Sequence, residues 1–270
     1  MGHQQERAAW LASAVRAAEA GAAVIRAAAP DIRQLDWQSK GPTDFVSEVD
    51  LAAEAAILQA MAADLPGATV LAEESAAAVS PERVAKGLAI VVDPLDGTTN
   101  FLHGFPAYAV SIAVLLDGEP VAGVVHDVPR GEVFTATVGG GCFRDGEPVR
   151  VSEITDPSRA LIGTGFPFKD ASDIQPYHRQ MAAVMAHVSG VRRPGAASLD
   201  LASVACGRFD GFWEMMLSPW DFAAGMLLVR EAGGVATDLG GEHLRALGAS
   251  SVLVGNPGMH RWLLGTLRGP

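Results

Sequence analysis

The apolar run Ala89-Ile90-Val91-Val92 passes directly into Asp93-Pro94-Leu95-Asp96-Gly97-Thr98-Thr99-Asn100-Phe101, and this junction constrains the chain more than any other segment. It reads as a strand that runs into two carboxylates and a Gly-Thr-Thr turn. Pro94 holds Asp93 extended, and Asp96 stands where the chain leaves the strand, placed to cap a helix beginning near Gly97. Both carboxylates then converge on the same cations. The N–H groups of Gly97 and Thr98 face outward at the helix N-terminus, where the dipole favours an anion, and Gly97 leaves room for its close approach. A plain helix cap at Asp96 with a strand-ending turn at Asp93-Pro94 is the alternative.

Two further segments place acids at the ends of elements. Val70-Leu71-Ala72-Glu73-Glu74-Ser75 sets a carboxylate pair after a short strand, with Glu73 the candidate for another hard oxygen ligand. Pro219-Trp220-Asp221-Phe222-Ala223-Ala224-Gly225 sets Asp221 at the start of an apolar helix, where a bare cap is the simpler reading. The balance of 20 Lys and Arg against 31 Asp and Glu gives a net charge of −11, which repels polyanions and argues against nucleic acid as a partner. A phosphate remains bindable where metal ions and backbone N–H groups supply local positive charge.

Around these segments, spacing predicts helices over about 5–28 and 48–64, ended by Pro30 and by Pro66-Gly67. Short β-rich runs follow: 69–71, 88–92, 108–116, 120–126, 132–137 and a hairpin over 139–146. The rest alternates helices near 174–188, 197–206, 221–231 and 257–267 with strands near 160–164, 209–214, 234–237 and 251–254. This is an α+β chain with helices layered on two sheets. One domain spans 1–270, with a soft boundary near 150: the half 1–150 carries most ligand candidates and the half 151–270 carries Asp221. No uninterrupted apolar run approaches the roughly 20 residues of a membrane span, and no leader is evident, so a cytoplasmic location is expected. Cys142 and Cys206 read as ordinary thiols, no histidine is assigned to metal, His103 is placed at a helix end, and the five tryptophans are read as core or interface residues. No Cys-x5-Arg loop, GxSxG elbow or P-loop is present.

Asp93–Phe101, Ala72–Ser75 and Trp220–Gly225, in this order, resemble the signature segments of the inositol monophosphatase family. The likeness extends from Lys40–Asp50 through Gly163–Phe168 and Arg192–Ala197 to Phe212-Trp213-Glu214. It implies the layered αβαβα sandwich of the inositol monophosphatase and fructose-1,6-bisphosphatase type, and a lithium-sensitive phosphatase using two or three Mg²⁺, with Mn²⁺ as a substitute. Glu73, Asp93 and the Leu95 carbonyl resemble the ligands of a first ion; Asp93, Asp96 and Asp221 resemble those of a second, and Glu73 touches a weak third. Thr98, with Asp50 behind it, resembles the pair that orients and deprotonates the attacking water; Ser47-Glu48-Val49-Asp50 also matches a capping box, a local use for Asp50. Gly195, Ala196, Ala197 and Glu214 resemble polyol-binding positions, joined by Asp96 and Asp221, while Glu73, Leu95, Gly97 and Thr98 hold the phosphate. Ala196 replaces a hydroxyl residue common in relatives, Ala72 replaces a Gly, and Lys40 resembles a loop lysine over the metals. The implied reaction converts myo-inositol monophosphate to inositol and phosphate without a covalent intermediate, in a homodimer. The alternatives are the same chemistry on histidinol phosphate, fructose 1,6-bisphosphate or a 3′-phosphoadenosine nucleotide, or a regulatory binding protein that keeps the fold. Thr99-Asn100-Phe101 differs from the Gly-Thr-Lys-Glu pattern of the nucleotidase branch.

Overall fold

Two sheets and three layers of helix alternate in this protein, seen in a computed structural model that describes residues 2–35, 37–41, 44–76, 80–168 and 171–268. Helices α1 (Gly2–Ala28) and α2 (Glu48–Asp64) form the first layer, with a hairpin of β1 (Trp37–Gly41) and β2 (Asp44–Ser47) between them. The second layer is a seven-stranded sheet in chain order: β3 (Thr69–Ala72), β4 (Leu88–Asp96), β5 (Ala109–Leu116), β6 (Glu119–Asp127), β7 (Glu132–Thr137), β8 (Gly141–Arg144) and β9 (Glu147–Val149). Only β3 and β4 run parallel. Short helices α3 (Pro81–Val84) and α4 (Thr98–Leu102) flank β4.

The second sheet has the order β11-β10-β12-β14-β13, from β10 (Leu161–Thr164), β11 (Gly190–Arg192), β12 (Gly211–Leu217), β13 (Val235–Thr237) and β14 (Ser250–Gly255). Helices α6 (Ala197–Ala205) and α7 (Pro219–Glu231) lie between the two sheets, and α5 (Ile174–Met185) and α8 (Pro257–Arg268) cover the far face. This is the expected α+β sandwich.

Strand alternation shows why both faces of the sheets are covered. On β4, Ala89 and Val91 join the core with α6 and α7, while Ile90 and Val92 join the core under α1 and α2. On the second sheet, Phe212, Val252 and Val254 face inward to α7, and Trp213 and Leu253 face α8. Full burial of each such side chain is worth about 1.5–3 kcal/mol. The close fit of α1 on α2 depends on small residues: a Cβ at Gly21 would stand 2.8 Å from Ile57.

Helix α1 with its following turn, Gln4–Arg33, is by length and composition long and apolar enough to cross a membrane. A search for uninterrupted apolar runs misses it because Arg16, Glu19 and Arg26 punctuate it. In the fold its Ala14, Ala17, Ala18, Ala22 and Ile25 are buried against α2 and the first sheet. Trp37, expected in a core or interface, is 52% exposed. Lys40 belongs to β1, but its side chain lies outside the described residues.

Candidate active site

Strand β4 extends past the predicted Val92 to Asp96 because it carries a bulge. Asp93 pairs with Ser111 and Asp96 with Ala109, so three steps on β4 match two on β5. In a regular strand, residues three apart point to opposite faces; the extra residue turns Asp93 and Asp96 to the same face, toward α6 and α7. The two carboxylates therefore converge by strand geometry. Asp93 is buried, and its Oδ1 accepts the Leu95 N–H at 3.0 Å.

The expectation that Asp96 caps the helix after it is overturned. The N-cap of α4 is Gly97, whose φ of +91° suits glycine, and a Cβ there would stand 2.7 Å from the Ala107 carbonyl oxygen. Asp96 instead serves the N-terminus of α6. Its Oδ2 accepts the Ser198 N–H at 2.8 Å and the Ser198 hydroxyl at 2.5 Å. Sequence reasoning missed Ser198, since nothing local links it to a carboxylate 102 positions earlier.

The other acids arrive from separate elements. The Glu73 N–H donates to the Val92 carbonyl at 3.1 Å, fastening the end of β3 beside Asp93. The next residue is held by Glu54 of α2, whose Oε2 accepts the Glu74 N–H at 3.0 Å; that anchor carries no motif signal. Asp221 lies in the first turn of α7, where its Oδ2 accepts the Ser218 N–H at 2.7 Å. The cap and the cleft are thus served by one side chain. Asp50 likewise fills both of its expected places: Oδ2 accepts the Ser47 N–H and hydroxyl, closing the capping box of α2, while Oδ1 accepts the Thr98 hydroxyl at 2.8 Å. Thr98 Oγ1 also lies 3.0 Å from the Leu95 carbonyl oxygen.

A cleft of about 420 Å³ joins these groups to the second sheet. Glu73, Asp93, Asp96 and Asp221 line it together with Leu95, Gly97 and Thr98, and Gly195, Ala197 and Glu214 line it as well. Ala196 departs from expectation. Its side chain does not line the cleft but is buried behind Gly97, where a glycine Cβ would come within 3.3 Å of it. Asn100 donates from Nδ2 to the carbonyls of Ala107 at 2.7 Å and Pro194 at 2.9 Å, which ties the loop after β4 to the Gly195 turn. Glu214 is seated against Gly165, where a Cβ would stand 1.9 Å from its carboxyl carbon. His103 is the C-cap of α4, with Nδ1 2.8 Å from the Thr99 carbonyl oxygen.

Concentrated acid shapes the electrostatics. Burial pushes the Asp93 carboxyl well above the usual carboxylate range, and the charges of Glu73, Asp96 and Asp221 push it further. Asp96 is raised to about 6 by burial and then by Asp221, against the donors of Ser198 and Ala197. As they stand, no three His, Cys, Asp or Glu side chains among the described residues close into a ready metal cage. All-oxygen donors fit hard ions such as Mg²⁺ or Mn²⁺.

Comparison with known proteins agrees with this arrangement. The model of the "Inositol monophosphatase family" matches residues 6–269. An inositol-1-monophosphatase of Mesorhizobium japonicum is 43% identical, over 89% of both chains. The Nus factor SuhB of Escherichia coli K12 is 41% identical over 94% of both chains. The crystal structure of the extragenic suppressor protein suhB from Bartonella henselae superposes with a TM-score of 0.88 at 37% identity, covering 97% of this chain and 99% of that one. A family match over nearly the whole length, on a fold that gathers the signature acids into one cleft, establishes that this chain belongs to the inositol monophosphatase family.

Proposed function

We propose that this protein hydrolyses phosphate monoesters of small polyols, with myo-inositol monophosphate the first candidate, by direct attack of water and without a covalent intermediate. The observation that carries the reading is the convergence of Glu73, Asp93, Asp96 and Asp221 on one cleft beside Thr98 and its partner Asp50. Glu73, Asp93 and the Leu95 carbonyl would hold one Mg²⁺, and Asp93, Asp96 and Asp221 a second, with Glu73 reaching a weak third. Bound Mg²⁺ would supply positive charge for the phosphoryl oxygens and acidify water.

The chain's own groups do the rest. Thr98 donates its hydroxyl proton to Asp50 Oδ1, so its lone pair is the end that receives a proton from the attacking water. Asp50 is a rigid acceptor because its other oxygen is tied to Ser47. The N–H groups of Gly97 and Thr98 hold phosphoryl oxygens, and Glu214, Gly195 and Ala197 face the polyol, with Asp96 and Asp221 within reach of its hydroxyls. Neither cysteine lines the cleft, and burial pushes the Cys142 thiol up to about 12, which suits a core thiol and not a nucleophile. A homodimer, a cytoplasmic location and inhibition by lithium accompany this reading as expectations.

The test is phosphate release from inositol monophosphate, histidinol phosphate, fructose 1,6-bisphosphate and a 3′-phosphoadenosine nucleotide, with Mg²⁺ or with chelator. Release that needs the cation and falls at least roughly 10³-fold in Asp93→Asn is expected, since that change removes a ligand of both ions. Release from none of the four with Mg²⁺ overturns the proposal. The name of the E. coli relative supports a second reading, in which the fold serves a protein partner. Asp93→Asn separates the two: a cellular phenotype that survives loss of turnover favours the partner role.

A further inference from the structure

Asp96 spends one of its two oxygens inside the fold. Oδ2 accepts both the N–H and the hydroxyl of Ser198, at 2.8 and 2.5 Å. A carboxylate oxygen has two lone pairs to offer, so Oδ2 is filled, and Oδ1 is what Asp96 has left for the cleft that it lines. Part of this arrangement serves α6. The N-cap of that nine-residue helix is Ala196, which offers no side-chain acceptor, so Asp96 takes the place of a cap for the N–H at Ser198. The hydroxyl is not needed for that purpose, because the helix asks only for an acceptor. Its short bond to a charged oxygen acts on the carboxylate instead. Ser198 is fully buried and does not line the cleft, so whatever it does for the site it does through Asp96.

The number of oxygens a carboxylate can give is what separates hard cations of the same charge. Mg²⁺ is small and holds to near-ideal octahedral order, whereas Ca²⁺ is larger, takes more oxygens and accepts both oxygens of one carboxylate. A carboxylate restricted to one oxygen therefore suits the smaller ion. We propose that Ser198 is a positioning residue for cation choice: by filling Oδ2, its hydroxyl confines Asp96 to ligation through Oδ1 and denies Ca²⁺ a two-oxygen partner, so that the cleft selects Mg²⁺. The proposal rests on the phosphatase reading above, in which Asp96 is a cation ligand, and adds what decides the ion.

The experiment is calorimetric titration of the full chain with Mg²⁺ and, separately, with Ca²⁺, in the wild type, Ser198→Ala and Ser198→Cys. Ser198→Ala keeps the N–H bond to Oδ2 and removes only the hydroxyl, which returns one lone pair to the cation. Ser198→Cys fills the same space with a weak donor, so it separates the hydrogen bond from the packing. The wild type is expected to bind Mg²⁺ more tightly than Ca²⁺. Ser198→Ala should lower that preference about tenfold, through tighter Ca²⁺ binding, the size typical of a group that orients a metal ligand, and Ser198→Cys should follow Ser198→Ala. Each preference is a ratio taken within one protein, so an inactive fraction does not blur it. A preference in Ser198→Ala within twofold of the wild type overturns the proposal. So does a wild type that prefers Ca²⁺, or a Ser198→Cys variant that keeps the wild-type preference. Failure of the phosphatase reading looks different: neither cation gives binding heat in any of the three proteins, and the inference falls with it.

Discussion

Each of the two sheets ends at the cleft in a strand with one extra residue, yet the two bulges are built to opposite standards. On β4 the bulge between Asp93 and Asp96 is buried throughout, contains Pro94, and fixes both carboxylates on backbone donors. On β12 the bulge between Glu214 and Leu217 leaves Met216 50% exposed with a φ of +58°, a conformation that favours glycine. The first presents charge at fixed positions, as phosphate chemistry requires. The second presents a single carboxylate on an open wall beside Phe166 and Phe168, 39% and 57% exposed. Strain stored at the second bulge accords with a surface that adapts to the leaving group. On the phosphatase reading proposed above, the first sheet would set the reaction type and the second the choice of substrate.

The largest effect expected from breaking this division lies on the β4 side. Thr98→Val keeps the shape of the side chain but removes the hydroxyl that meets Asp50 Oδ1. Its kcat should fall by about 100-fold with KM little changed, as removal of a proton-handling group commonly does, and Thr98→Ser should recover most of the rate. Steady-state kinetics on one ester at saturating Mg²⁺ checks it. A change confined to KM would move Thr98 from the chemistry to substrate binding.

The two bulges also differ in how plainly the sequence announces them. The Asp-Pro-Leu-Asp-Gly-Thr-Thr run of the first is local, and each residue type in it has a stated physical use, so the strand, the glycine turn and the acids can be read in a row. Glu73 and Asp221 are legible for the same reason, since each sits at the end of a recognisable element. The sequence misplaces Asp96 as the cap of α4 because local reasoning assigns a cap to the helix that follows, whereas α6 claims it from 102 residues away. The second bulge has no such signature. Gly165 matters through what the fold brings beside it, Glu214, and no spacing along the chain encodes that contact. The layered architecture was readable from the order of predicted helices and strands and from the family resemblance, and the structure accounts for it by burying both faces of β4 and β14.

An intermediate effect is expected on the β12 side. Gly165→Ala places a methyl group 1.9 Å from the Glu214 carboxyl carbon, so the carboxylate must swing out of its seat. The polyol loses a contact while the metal end is untouched. A loss of about tenfold in kcat/KM, carried by KM, is the size of one misplaced hydrogen-bonding group. An equal fall in kcat would mean that the two ends are mechanically coupled, and the contrast between the bulges would weaken.

The smallest effect concerns a residue that feels both bulges. Asp200 on α6 is 1% exposed, and among the described residues neither of its carboxylate oxygens has a hydrogen-bond partner. Burial raises it well above the usual carboxylate range; Glu214 of one bulge and Asp96 of the other raise it further, and Arg193 opposes them only in part. A carboxyl raised by folding binds its proton more tightly in the native state than in the unfolded chain, where the value is about 3.9. Its contribution to stability is therefore full below about pH 4 and is lost as pH climbs through the higher native value. Asp200→Asn removes this titration while keeping the side chain's shape, and other titrating groups such as His126 and His260 cancel in the comparison. Thermal or denaturant unfolding should find the variant more stable by about 1–3 kcal/mol at pH 8, because Asn escapes the penalty that burial puts on the charged carboxyl, with the advantage gone near pH 4. A difference that does not vary with pH would show that the native protein keeps Asp200 ionised and supplies it a counter-charge, so that the field linking the two bulges is already balanced.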